Sequence, residues 1–448
     1  MFGKVLVANR GEIACRIFQA CRELKIATVA VYSEADKDSL HTRFADEAVC
    51  IGPPPPRESY LNFANIISAA KVTGAQAIHP GYGFLSEVTS FAEICEASGI
   101  VFIGPPSHVI ARMGNKSEAR RAMQAAGVPV IPGTQEPVGN IKDARDIAEE
   151  LGYPVMIKAA LGGGGRGIRE VHDPEDLATQ LEQARSEARA AFGSGEVYME
   201  KCLIHPRHIE VQVLADTHGN VVHLGERDCS VQHRKQKLIE EAPSPAVNSA
   251  TRRKLGEAAV KAARTVGYVG AGTVEFLMDK KGKFYFLEMN TRIQVEHPVT
   301  EMLTGVDIAR EQLRVASGEK LSCEQGSIWF NGHAIECRIL AADGDDGFRP
   351  SPGKIERWSM PVGPGIRVDS GVGGGSTVPP YYDPMIAKVI CWAEDRPRAI
   401  ARMQAALRGM QIEGVKTTIP FHLRALAVES FQKGETDTSF IEKMTRGN

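Results

Sequence analysis

Nowhere does this chain run apolar for the length of a membrane span, and none of its nine cysteines stands in a C-x-x-C pair. The first absence argues against an integral membrane protein, the second against a structural zinc or a disulfide framework. An odd number of cysteines scattered from Cys15 to Cys391 reads as reduced thiols, so a cytoplasmic location is expected. The amino terminus, MFGKVLVANRGE, meets a charged residue too early for a signal sequence and reads as a first strand. Excess charge is missing too. A net charge of -2 leaves no electrostatic footprint for nucleic acid. Internal repeats, low-complexity tracts and charged tails are absent as well.

What is present is ample core. With 448 residues, 43% hydrophobic and 24% charged, the chain should fold into two or three globular domains. KVLVA, the amphipathic EIACRIFQACREL and ATVAVYS predict strand, helix, strand, with Ile13, Ile17, Cys21 and Leu24 on one helical stripe. A second cycle follows through a helix over 65–74, the strand AQAIHP, a helix near Phe91 to Ser98 and IVFIGPP. Alternating strands and helices predict a parallel sheet covered on both faces. The first crossover has only Asn9-Arg10-Gly11-Glu12 where a dinucleotide site needs G-x-G-x-x-G, so a Rossmann-like sheet without a dinucleotide is expected.

From about Lys116 the character changes. AGVPVIPG reads as a hinge into a module containing YPVMIKAALGGGGRGIREV, where Gly162 to Gly165 join two strand-like runs. A phosphate loop would continue as Gly-Lys-Ser/Thr into a helix, which does not happen here. A glycine run between strands suits a hairpin whose backbone amides close over phosphates, and Lys158 on the incoming strand favours that over a plain surface turn. The last third, from about Ile328, carries the strands GHAIECRI and VICWA and a helix whose stripe of Ile400, Met403, Leu407 and Met410 reads as core.

The densest chemistry lies in GTVEFLMDKKGKFYFLEMNTRIQVEHP, from Gly272 to Pro298. TVEFLM and KFYFLEMN predict a hairpin across a four-residue turn, Asp279 to Gly282, in a register that sets Glu275 diagonally opposite Glu288 on one face. Two carboxylates on an apolar hairpin need a cation, and a hard divalent ion with oxygen ligands fits, with Asn290 as a third donor. Arg292, Gln294 and Glu296 then alternate with Ile293 and Val295, predicting an extended segment with a fork for an oxyanion and a base beside it.

Taken in order, VANRGEIACRI, HPGYGFLSE, KAALGGGGRGI, ERDCSVQHRKQKLIEEAPSP, EMNTRIQVEHPVTEM and PYYDPMIAK resemble the ATP-grasp enzymes, and among them the biotin carboxylase family, from end to end. The resemblance implies an α/β and α+β fold: a Rossmann-like N-terminal domain over 1–114, an ATP-grasp domain over 115–327 with a mobile lid at about 131–203, and a mixed α+β C-terminal domain over 328–448. It implies that Lys116 and Lys158 meet ATP phosphates under a lid containing Gly163, Gly164 and Gly165. Glu200, Lys201 and Leu203 would lie at the adenine and hinge, with His208 and Gln232 as further nucleotide contacts. Glu275 and Glu288, with Asn290, would bind Mg2+ or Mn2+. Lys237, Arg292, Gln294 and the Val295 amide would form the bicarbonate pocket, Glu296 the base, and Arg338 the partner of a biotin enolate, with Tyr82 and Asp383 near biotin. Lys235 stands where the family commonly has His, and Ala160-Leu161 stand at the lid entry where SGGGGG is common.

The implied function is the ATP-dependent carboxylation of biotin by bicarbonate through carboxyphosphate. A biotin carboxyl carrier protein and carboxyltransferase subunits are expected as separate chains, because no biotinylation motif precedes Asn448, and a homodimer is expected. Two other readings compete: another ATP-grasp carboxylate ligase, and a non-catalytic nucleotide-binding regulatory subunit. The first is disfavoured by the bicarbonate-sized Arg292/Gln294/Glu296 set, the second by the presence of every catalytic position.

Overall fold

A computed structural model describes residues 1–134, 136–159 and 168–446. Its first unit is a five-stranded parallel sheet, ordered β3-β2-β1-β4-β5, of β1 (Lys4–Val7), β2 (Ala27–Tyr32), β3 (Glu47–Cys50), β4 (Ala77–His79) and β5 (Val101–Phe102). Helix Gly11–Glu23 buries Ile13, Ile17 and Cys21 against it, and Leu24 caps that helix half-buried. The parallel sheet is the one the strand–helix alternation predicts. The short β3, with its exposed Glu47 and Ala48, carries too little apolar signal to be read beforehand.

Three antiparallel strands form a separate small sheet, ordered β7-β6-β8: β6 (Val155–Ala159), β7 (Ile168–Val171) and β8 (Val197–Lys201). Helices Ile141–Leu151 and Leu177–Phe192 close a private core over it, with Ile157, Leu181 and Met199 at its centre. The glycine run, including Gly163, Gly164 and Gly165, and the Ala160-Leu161 departure lie outside the described residues.

The largest sheet has eight strands, all antiparallel to their neighbours. In order they are β13 (Phe284–Asn290), β12 (Gly270–Met278), β9 (Arg207–Ala215), β10 (Val221–His233), β11 (Gln236–Ala242), β14 (His333–Leu340), then strands Met385–Ala393 and Ile366–Ser370. Pairing of β11 with β14 runs the sheet straight across the expected division at 327/328. Residues distant in sequence, His208, Lys237, Glu275 and Arg338, thereby share one hydrogen-bonded scaffold.

Two expectations need correction. The hairpin turn spans Asp279 to Lys283, one residue longer than predicted, because Met278 pairs with Phe284. A register shift at Leu287 then sets Glu275 directly opposite Glu288, rather than diagonally. Facing pairs share a side of the sheet, so the two carboxylates remain on one face. The segment carrying Arg292, Gln294 and Glu296 is not extended. It bends, and Glu296 caps helix His297–Thr304 with φ -81° and ψ 10°. Burial of Ile293, Gln294 and Glu296 alike imposes a loop, since a strand would send alternate residues to opposite sides.

Between β10 and β11, His233 pairs with Gln236 across a two-residue turn in which Arg234 and Lys235 have φ of 48° and 68°. Both lie in the left-handed region, which costs non-glycine residues roughly 1 kcal/mol or more each. Phe276, wholly buried in the core over β12, sets a stability test. Phe276→Ala is expected to lower unfolding free energy by about 3–5 kcal/mol, read from chemical denaturation.

Candidate active site

A cleft of about 1870 Å³ opens between the three sheets and is lined by residues from Asn9 to Glu442. All of the sequence-predicted site residues that the structure describes line it. At its floor, buried strands carry a polar stripe: His208, Glu210 and Gln212 alternate along β9 in an otherwise apolar run. Such groups need partners, and here they form one network.

Lys237 is the hub. Its Nζ lies 2.5 Å from Glu210 Oε2, 2.8 Å from Glu275 Oε1 and 2.6 Å from Glu296 Oε1. Beneath it the wholly buried Arg227 donates to Glu210 Oε1 at 2.5 Å and to Gln212 Oε1 at 2.8 Å, and reaches Thr273 and Thr300. On the far side Arg338 donates to Glu240 Oε1 at 2.6 Å and to Glu296 Oε2 at 2.9 Å. Burial alone would raise the Glu296 carboxyl, but Lys237, Arg338 and Arg227 hold it well below the usual carboxylate range. Glu275 behaves likewise, depressed by Lys237 and by His208, whose Nε2 is 2.9 Å from Glu275 Oε2.

Glu275 Oε1 also accepts from Asn290 Nδ2 at 2.8 Å and Gln294 Nε2 at 3.0 Å. Arg292 donates to Gln294 Oε1 at 2.7 Å and to Asn290 Oδ1 at 3.3 Å, while Glu87, from the HPGYGFLSE motif, holds its Nε at 2.9 Å. Arg292, Gln294, Glu296 and Lys237 thus converge despite the loop, and Val295 lines the cleft beside them.

Glu288 stands apart from this knot, its side chain 40% exposed and 3.9 Å from Lys116 Nζ. Desolvation and the facing Glu275 charge raise its carboxyl, with Lys116 opposing. Two like charges facing across a hairpin, with Asn290 alongside, make an all-oxygen set that a hard divalent cation would relieve. His208, Glu210 and Glu275 also bring donor atoms within 4.8 Å of one another, as do Glu210, Cys229 and Glu296. Both groups lie deep in the network, where Glu210 holds Lys237 and Arg227. Glu275 shares Lys237, but its facing Glu288 is half-exposed and, among the described residues, meets only Lys116, at 3.9 Å, so Glu275, Glu288 and Asn290 fit a metal better.

At the other end Lys158 pairs with Glu200, whose Oε2 lies 3.4 Å from Arg120. Lys201 turns its Nζ to the carbonyls of Gly152, at 2.6 Å, and Tyr153, at 3.2 Å. Its side chain fastens β8 to the turn that precedes β6. Gln232 lies half-buried opposite Lys237. Tyr82 donates to the buried Glu12, and the exposed Asp383 accepts from the Met385 amide at 2.9 Å. Glu336 faces Glu240 across the strands and accepts no hydrogen bond among the described residues.

Chemically, the cleft offers an ionised carboxylate at 0% exposure (Glu296), a planar cationic fork (Arg292), a second guanidinium (Arg338), an acidic pair suited to a metal, and two lysines toward the outer end. That set suits phosphoryl transfer to a small oxyanion. Glu12, Glu87, Glu210, Arg227 and Glu240 were not among the predicted site residues. The alternation of polar residues on the apolar β9 is the signal that exposes Glu210.

Three family models match the chain: "Biotin carboxylase, N-terminal domain" over residues 1–110, "Carbamoyl-phosphate synthase L chain, ATP binding domain" over 115–324, and "Biotin carboxylase C-terminal domain" over 336–443. The chain is 56% identical to biotin carboxylase 1 of Bacillus subtilis over 99% of its length and 98% of that protein. It is 55% identical to the biotin carboxylase of Haemophilus influenzae, covering 99% of this chain and 99% of the other. Its fold matches the biotin carboxylase domain dimer of the Hydrogenobacter thermophilus 2-oxoglutarate carboxylase, solved with MgADP, ADP and bicarbonate. There the TM-score is 0.92 at 51% identity, over 100% of this chain and 98% of that one.

The network sets a pH test. Burial, with Glu296 nearby, pushes Glu240 up to about 7 against the pull of Arg338. The folded state then binds a proton that the unfolded chain has released, so Glu240 stabilises least once pH passes its folded value. Between about pH 5 and 8, Glu240→Gln is expected to show a smaller fall in Tm than the parent, as read by thermal melts.

Proposed function

This chain belongs to the biotin carboxylase family, ATP-dependent ligases that carboxylate biotin with bicarbonate, and we propose how its residues divide that work. The carrying observation is the Lys237 hub, which holds Glu296 ionised at the centre of the cleft beside Arg292 and Gln294.

Bicarbonate is a poor nucleophile until it loses its proton. In the proposed sequence Arg292, Gln294 and Lys237 seat the anion against Glu296. Glu296 is depressed as a base while both cations hold it, and an incoming anion that draws Lys237 and Arg338 toward itself restores its basicity. Glu296 then takes the proton, and a bicarbonate oxygen attacks the γ-phosphorus, releasing ADP and leaving carboxyphosphate. Lys116 and Lys158 are placed to hold the nucleotide phosphates. Glu275, Glu288 and Asn290 would hold Mg2+ or Mn2+, which when bound supplies charge neutralisation on the phosphate oxygens. Carboxyphosphate breaks to carbon dioxide and phosphate. The phosphate takes the biotin N1′ proton, Arg338 stabilises the ureido enolate, and N1′ attacks carbon dioxide. Tyr82 and Asp383 flank the approach of biotin.

Water would destroy carboxyphosphate, which gives a lid reason to close. The private core between Val138 and Met199 supports treating about 131–203 as that lid, within domains at 1–114, 115–327 and 328–448. Glu200 and Leu203 at its base, with His208 and Gln232, would frame the nucleotide.

A homodimer is proposed, supported by the dimeric Hydrogenobacter thermophilus domain. Carrier protein and carboxyltransferase subunits are proposed as separate partners. Nine free cysteines support a reducing, cytoplasmic setting, and no helix among the described residues is long and apolar enough to cross a membrane.

The purified chain is expected to cleave ATP in a reaction that requires bicarbonate and is stimulated by free biotin. Glu296→Gln is expected to lose about 10²–10⁴-fold in that turnover, and Arg338→Ala to lose the biotin stimulation. Chelation of divalent metal should abolish activity and its return restore it. Binding of ATP without turnover would favour a regulatory subunit instead.

A further inference from the structure

Two wholly buried side chains outside the reacting set each grip a backbone carbonyl of the loop that bears Glu296. Lys388, on strand Met385–Ala393 opposite Arg338, donates from Nζ to Val295 O at 2.9 Å. His297 places Nδ1 2.7 Å from Gln294 O. A carbonyl can only accept, so Nδ1 carries the hydrogen and the ring is neutral or doubly protonated. Burial and the neighbouring Lys388, Arg16 and Arg367 push the ring well below its ordinary value, which leaves it neutral.

Lys388 keeps its charge. Burial opposes it, but Glu12, at 3.1 Å, with Glu336 and Asp369, outweighs that cost. Glu12 also accepts from Tyr82, so the same ammonium ties the oxyanion loop to the residue flanking the biotin approach. At 0% exposure the ammonium itself lies outside the cleft and meets it through the Val295 carbonyl and the Glu12 carboxylate.

A trans peptide is planar, and its N–H points away from its own C=O. With the Gln294 carbonyl drawn to His297, the Val295 N–H is turned the opposite way. With the Val295 carbonyl drawn to Lys388, so is the Glu296 N–H. Both residues line the cleft. Anchoring two successive carbonyls on buried side chains fixes the path of the loop from Gln294 to Glu296.

We propose that Lys388 and His297 are positioning residues: by gripping the Val295 and Gln294 carbonyls they hold the loop from Gln294 to Glu296 as a rigid cradle for bicarbonate. The inference rests on reading this end of the cleft as the bicarbonate site. Neither residue touches substrate. Their effect should fall on the anion and spare the nucleotide, which binds over the lysines at the other end.

Steady-state ATP cleavage with free biotin separates this from simple packing. Lys388→Met removes the donor, Lys388→Arg keeps a cationic donor, and Lys388→Met/Glu12→Gln also removes the carboxylate left unpaired. The KM for bicarbonate is expected to rise at least tenfold in both variants carrying Lys388→Met. The Lys388→Arg effect should be no more than a third of that, with the KM for ATP within twofold of the parent throughout. His297→Leu is expected to raise the KM for bicarbonate at least fivefold. An unchanged value in folded Lys388→Met, parallel losses for ATP and bicarbonate, or failure of all three Lys388 variants to fold would overturn the cradle. A parent enzyme without bicarbonate-dependent turnover would remove the bicarbonate reading itself. A parent that turns over while Lys388→Met keeps its bicarbonate KM would remove the cradle alone.

Discussion

One ammonium group, Lys237 Nζ, sits within 2.8 Å of three carboxylates in a region almost closed to water. Those carboxylates come from three segments, Glu210 on β9, Glu275 on β12 and Glu296 at a helix start, so electrostatics at one point constrains three parts of the chain. Removing the cation would leave the three buried acids one basic partner each among the described residues: Arg227, His208 and Arg338. Arg227 and Arg338 complete the balance from below and beside. The ionised state of Glu296 follows from that balance.

The eight-stranded sheet makes this geometry reproducible. Its continuity from β13 to strand Ile366–Ser370 carries the Glu275/Glu288 hairpin, the Lys237 strand and the Arg338 strand on one hydrogen-bonded frame. The register shift at Leu287 brings Glu288 square to Glu275. Without it, every side chain beyond that point on β13 would change faces. The loop from Arg292 to Glu296 gives up the regularity of a strand so that residues at successive positions can all turn inward, and buried Lys388 and His297 hold its carbonyls in that irregular path.

Much of this was legible in the residues. The strand–helix alternation of the first hundred residues predicts the parallel sheet, and the order of motifs from VANRGEIACRI to PYYDPMIAK points to the family and to Glu275, Glu288, Arg292, Glu296 and Arg338. Long-range partners were not legible. That Glu240 rather than Glu336 holds Arg338 depends on how β11 pairs with β14, which no local pattern reveals. Glu87 reaching Arg292 across more than two hundred positions is equally a product of tertiary folding. The turn and bulge of the hairpin escape a sequence reading because Lys283 fits a strand as well as a turn, and propensity cannot decide between them. Lys201 shows the same limit: its position beside Glu200 was readable, but not the turn of its side chain toward Gly152.

The central claim is that Glu296 prepares bicarbonate to attack the γ-phosphorus of ATP within this network. Isotope transfer tests it most directly. With bicarbonate labelled by oxygen-18 and unlabelled ATP, the phosphate released during biotin carboxylation is examined by mass spectrometry. Attack through a bicarbonate oxygen requires one labelled oxygen in each phosphate formed. Phosphate free of label, from turnover that still carboxylates biotin, would show that water or another nucleophile opens ATP and would contradict the account.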